Sequence, residues 1–164
     1  MTDAFDQFWE WRRKPGSGVE IPAELYHAVM SLPEPDRLNR RKVNSEVHRR
    51  ARSRRTGRTV WMYLNDYGGG KRRCIGDPEW IKLFASGAAA DKWLESNDPE
   101  GVAWEHEIEG GQRRRSVFIY LCDENSRAVE DPDWVKLFAS KPETQKWLEQ
   151  HAPKGKIWEY PVEE

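Results

Sequence analysis

Residues with chemistry to offer are few and scattered. Four histidines (His27, His48, His106, His151) and two cysteines (Cys74, Cys122) are spread over 164 residues. There is no His-Glu-x-x-His, no Gly-x-Ser-x-Gly and no paired-cysteine spacing, so zinc hydrolysis, an acyl-transfer serine and a thiolate metal site each lack their constellation. Gly68-Gly69-Gly70-Lys71 superficially resembles a phosphate loop, but it lacks the Gly-x-x-x-x-Gly-Lys spacing and Arg72 stands where a hydroxyl is needed. Glu105, Glu107 and Glu159 fall on expected strands, where solvated carboxylates are ordinary. The sequence therefore predicts no catalytic, cofactor-binding or metal-binding residue, no cofactor and no enzyme.

Cationic chemistry is the stronger signal. Net charge is only -1, yet residues 1–58 hold 13 Lys/Arg against 8 Asp/Glu and residues 59–164 hold 14 against 20. Between Asp36 and Arg58 ten Lys/Arg face two acids. Arg40, Arg41, Lys42, Arg49, Arg50, Arg52, Arg54 and Arg55 are the candidate nucleic-acid-binding residues. Each cation that neutralises a phosphate releases a counterion, which makes such binding strongly salt-dependent. A solvated helix, or one docked on the chain's own acidic part, is the plainer alternative. Opposite in sign, Asp123, Glu124, Glu130 and Asp133 crowd one loop and are the candidate protein-partner-binding residues, with solubility as the plainer account. Lys71, Arg72 and Arg73 occupy the equivalent loop upstream.

These groups must be held by a duplicated framework. Asp77 to Glu105 recurs without a gap as Asp131 to Glu159, with 16 identities in 29 positions. Arg58 to Asp66 likewise matches Arg115 to Asp123. Each copy reads as strand, strand, helix, strand: Trp80–Ala85 and Trp134–Ala139 as second strands, helices near 87–96 and 141–151, and third strands near Val102–Ile108 and Lys156–Val162. A helix continuous from Asp77 or Asp131 is the rival, and Pro142 opposes it. Ser140-Lys141-Pro142-Glu143 has the form of a capping box. Trp80/Trp134, Trp93/Trp147 and Trp104/Trp158 recur in register, with Trp61 opposite Phe118. Rings retained by both copies are expected to fill a core, not to line a base-stacking groove. Neither cysteine belongs to the shared unit, and both are expected to be reduced and idle.

Upstream of the repeat the pattern is helical. Asp3–Lys14, after a Thr2 cap, places Phe5, Phe8 and Trp9 on one face. Pro22–Leu32 carries Leu25, Val29 and Leu32. Asp36–Arg54 carries a narrow stripe of Leu38, Val43, Val47 and Ala51. Three helices with the last one basic are compatible with a helix-turn-helix.

The reading is an α+β fold: a helical, basic N-terminal region (1–56) followed by two tandem ββαβ modules (57–110 and 111–164) with antiparallel sheets. It predicts a non-catalytic binding protein whose residues 36–58 contact nucleic acid and whose acidic modules hold a protein partner, in the manner of an antitoxin or small transcriptional regulator. One alternative is a phage- or mobile-element-type inhibitor of a host defence or nuclease complex (anti-CRISPR- or anti-restriction-like); another is a small enzyme of unknown class. No apolar run reaches the roughly 20 residues a membrane span needs, and no export signal opens the chain, so the expectation is a cytoplasmic protein without a membrane partner, compatible with a homodimer.

Overall fold

Asp3, not Thr2, starts the first helix: its side chain accepts the Asp6 backbone N–H at 3.0 Å, placing a carboxylate where the first turn has bare donors. In the computed structural model, which describes residues 2–14, 20–65, 77, 79–122 and 134–164, the chain divides into two compact units, Met1–Arg55 and Thr56–Glu164. The described elements of the first are all helices and those of the second are six strands and two helices, an α+β arrangement with a helical N-terminal region.

The helical unit contains α1 (Ala4–Arg13), α2 (Ala23–Met30), α3 (Glu34–Arg37) and α4 (Arg40–Arg55). Phe8, Leu25, Val29 and Val43 form its buried centre, with Phe5, Trp9, Trp11, Tyr26 and Val47 packed around them. The expected third helix is in fact two. A single turn ends at Arg37, and Asn39 begins a new helix by accepting the Lys42 N–H at 3.2 Å. Leu38, placed on the buried stripe by the sequence pattern, falls in this break and is 68% exposed. Arg37 closes the end of α2, donating to the carbonyls of Leu32 (2.8 Å) and Met30 (2.9 Å), groups a helix end leaves without intrahelical partners.

The second unit is one closed barrel with the strand order β1-β2-β6-β4-β5-β3. Its elements are β1 (Thr59–Leu64), β2 (Ile81–Phe84), α5 (Gly87–Asn97), β3 (Ala103–Glu109), β4 (Ser116–Leu121), β5 (Val135–Phe138), α6 (Lys141–His151) and β6 (Trp158–Glu163). The expected strands Trp80–Ala85 and Trp134–Ala139 thus appear as the shorter β2 and β5, with the tryptophan and the last alanine of each segment just outside. The expected pair of modules with antiparallel sheets needs correction, because the strands share a single sheet with two parallel junctions. Within each half the middle strand pairs antiparallel on both sides, β1 with β2 and β3, and β4 with β5 and β6. The halves then close through parallel pairs, Leu83 opposite Val162 in one and Leu137 opposite Ile108 in the other. The reason is physical. A three-stranded half would leave two open edges and one bare apolar face, and closure removes both liabilities.

The alternation of the strands explains the two cores. Val60, Met62, Leu83, Ile108, Val117, Ile119, Leu137 and Tyr160 point inward and make one cluster with Trp80 and Trp134, each 3% exposed. The outward Trp61, Tyr63 and Phe84 are covered by Ala90, Trp93 and Leu94 of α5. Trp147 of α6 lies against Tyr120 and Phe138 in the same way. Of the repeated rings, Trp80 and Trp134 fill an interior, Trp93, Trp147 and Trp158 pack half-buried against neighbouring core side chains, and Trp104 is half-buried. Ser86 caps α5 by accepting the Ala89 N–H at 3.2 Å. At α6 the expected capping box does not form; the Ser140 hydroxyl donates instead to the Glu143 carboxylate at 2.7 Å.

Candidate nucleic-acid interface

The fold of the helical unit gives α4 two faces. Val43 and Arg50 are buried, Val47 and Arg54 half-buried, and these four recur at spacings of four, three and four along one side. On the opposite side Arg41, Ser45, His48, Arg52 and Arg55 are exposed, with Arg49 beside them. At 1.5 Å per residue this stripe runs about 21 Å from Arg41 to Arg55. A helix rich in arginine throughout keeps its place because the inward side still offers two valines and the aliphatic stems of two arginines to the aromatic centre.

Several of the candidate cations are engaged by the unit's own acids. Arg40 donates to Asp3 at 2.6 Å and also to Asp6, and its guanidinium lies 5.0 Å from the Phe5 ring centre. Asn44 completes this clamp of α1 on α4, donating to Asp3 at 2.8 Å and accepting the Phe5 N–H at 3.1 Å. The Asp6 N–H, with Asn44 and Arg40, holds the Asp3 carboxyl at a pKa of about 2. Lys42 pairs with Asp36 at 2.6 Å. Glu46 accepts from Arg49 at 2.6 Å and from Arg50 at 2.9 Å. Burial would raise the Glu46 carboxyl, but these two guanidiniums outweigh it and hold the group below its usual range. Arg50 is 6% exposed, so its charge serves the interior. Arg41 and Arg55 are exposed, and among the described residues neither has an ion pair. The sequence pattern could not separate these roles, because every member of the set is an arginine or lysine on one helix.

His27, on α2, is also buried, at 6% exposure. Burial, reinforced by the positive charge of Arg50, pushes its pKa down to about 4. At neutral pH it is an uncharged part of the core.

Around the stripe there is little else. A shallow open depression of about 410 Å³ lies between α1, α2 and α4, lined by Ala4, Gln7, Pro22, Glu24, Leu25, Val47 and Arg54. Among the described residues no cluster of His, Cys, Asp and Glu could hold a metal ion, and no helix is long and apolar enough to cross a membrane. Asp123, Glu124, Glu130 and Asp133, with Lys71, Arg72 and Arg73, lie outside the described residues. Cys122 is exposed. Comparisons with protein-family models, with curated proteins and with solved structures returned no match.

Proposed function

We propose that the protein is a non-catalytic, regulator-like binding protein that grips nucleic acid through the outward stripe of α4, chiefly Arg41, Arg52 and Arg55 with Arg49 and His48. The observation that carries this is the division of α4 into faces. Arg50 and Arg54 turn inward while the opposite side presents a row of exposed guanidiniums, groups suited to bidentate phosphate contact. The succession of α2, α3 and α4 is compatible with a helix-turn-helix, in which a terminal helix enters a major groove. All five aromatic side chains described in this unit (Phe5, Phe8, Trp9, Trp11, Tyr26) belong to its core cluster. A stacking platform for single strands is therefore lacking among them, and duplex DNA is the favoured ligand.

The barrel unit would hold the protein partner, with the acidic residues Asp123, Glu124, Glu130 and Asp133 giving specificity. Its halves are read as two copies of one ββαβ module. The matching registers support this: Met62 pairs with Leu83 as Ile119 pairs with Leu137, and Ala85 donates to Glu163 as Ala139 donates to Glu109.

Gel retardation of a duplex at about 50 mM salt, where phosphate contacts are strong, tests the reading. Arg41→Ala/Arg52→Ala/Arg55→Ala should abolish the shift and leave the melting temperature unchanged. Arg50→Ala should instead destabilise the unit by about 1–3 kcal/mol, since it breaks a buried charge-assisted bond. An unshifted duplex with the native chain refutes the proposal.

A further inference from the structure

We propose a second polyphosphate-contact site on the barrel, formed by Arg58, Arg114 and Arg115 at the end where β1 and β4 begin. Barrel closure brings these residues together. β1 and β4 are parallel and stand on opposite walls of the ring; Arg58 immediately precedes the first and Arg115 the second. The connecting segment 110–115 leaves β3, donates from the Arg113 N–H to the Gly57 carbonyl at 2.7 Å beside β1, and reaches β4 across the end of the barrel. Arg113 braces this crossing, its guanidinium 3.4 Å from the Thr59 carbonyl oxygen.

The three remaining guanidiniums are available. Arg58, Arg114 and Arg115 are exposed, and among the described residues none of them has an ion pair or side-chain hydrogen bond. Acids stand at the same end. Glu163 pairs with Lys82 at 3.6 Å, Glu143 accepts from Ser140 at 2.7 Å and Glu159 accepts from Ser116, while Glu107 lies cross-strand from Thr59 and Glu109 and Glu164 are exposed. They moderate the field, but none of them pairs with the three arginines. Both α5 and α6 also begin at this end, adding the positive ends of their dipoles.

A polyanion fits this rim better than a folded acidic partner. Protein interfaces are anchored by buried aromatic or aliphatic side chains, and the only large hydrophobics exposed among the described residues are Leu38 and Val102. Leu38 belongs to the other unit, and Val102 precedes β3 at the opposite end of the barrel. The choice of nucleic acid as the polyanion rests on the reading of α4 above.

The test is fluorescence anisotropy of the full chain with a labelled duplex of about two helical turns, titrated at several KCl concentrations from roughly 50 to 300 mM, with poly-glutamate as a second probe. Arg58→Ala/Arg114→Ala/Arg115→Ala should reduce the slope of log K against log[salt] by roughly 2–3 and weaken binding about tenfold or more, with an unchanged melting temperature. An unchanged slope in this variant, alongside loss in the α4 variant, overturns the rim and spares α4. Loss in the rim variant alone establishes the rim and removes α4. No binding of DNA by the native chain overturns both, and rim-dependent binding of poly-glutamate without DNA binding assigns the rim to an acidic protein.

Discussion

Lowering the pH from 7 to 4 should weaken the helical unit through His27. Its folded-state pKa is about 4, against about 6.5 in an unfolded chain. Between these values the unfolded chain binds a proton that the folded unit refuses, so stability is fully present above pH 6.5 and falls as the pH drops towards 4. The gap of about 2.5 units corresponds to roughly 3 kcal/mol, at 1.36 kcal/mol per unit. Burial sets the direction: an imidazolium 6% exposed would lose its hydration beside Arg50, with only Glu24 favouring the charge. The carboxylates begin to act at the lower edge of this range: Glu46, held low by Arg49 and Arg50, loses its contribution as the pH falls below its ordinary value of 4.5. Asp3 loses its contribution as the pH falls from 3.8 towards 2, outside the histidine window. Urea denaturation followed at half-unit steps of pH, with NMR titration of the His27 ring, measures both sides of the linkage. His27→Leu should flatten the slope between pH 4 and 6.5. A His27 ring titrating near 6.5 in the folded protein, or a slope unaltered in the leucine variant, would refute the reasoning.

Two predictions concern the barrel. A Cβ on Gly87 would meet the Trp61 indole at 3.1 Å, and the other half carries Lys141 and Phe118 at the matching positions, a larger helix residue with a smaller ring. Gly87→Lys should therefore destabilise the native background, whereas Trp61→Phe/Gly87→Lys should recover part of the loss, with a coupling of about 0.5–3 kcal/mol in a double-mutant cycle. Additive effects would show that ring size and helix residue are independent. A Cβ on Gly101 would lie 2.8 Å from the Tyr63 ring and one on Gly155 2.7 Å from the Tyr120 ring. Alanine at either should cost about 1–3 kcal/mol of overpacking by thermal denaturation, the Gly101 change also disturbing the 2.6 Å bond from the Tyr63 hydroxyl to Asp98. Unchanged melting of both variants would argue against close ring contact.

Much of the architecture could be read from residue order. Element types in the repeat and the fate of Trp80 and Trp134 as core residues arise from short-range causes, period and turn chemistry, whereas the cap of α1 fell to Asp3 and not to the expected Thr2. Duplication made these signals stronger, because a position retained twice, such as Trp80 and Trp134, reports a packing need that one copy alone would not reveal.

Closure of the barrel was not legible in this way. The parallel junctions that join β2 to β6 and β3 to β5 link strands from different halves and leave no local mark on composition. The same holds for the candidate sites. On α4, Arg41 and Arg50 are chemically alike, and only the packing of α1 and α2 on one side makes the first a surface cation and the second a buried partner of Glu46. At the barrel end, Arg58 and Arg115 are 57 positions apart in the chain and stand on one rim because the ring of strands closes. Local propensity chose the elements; long-range packing chose which charges remain in water.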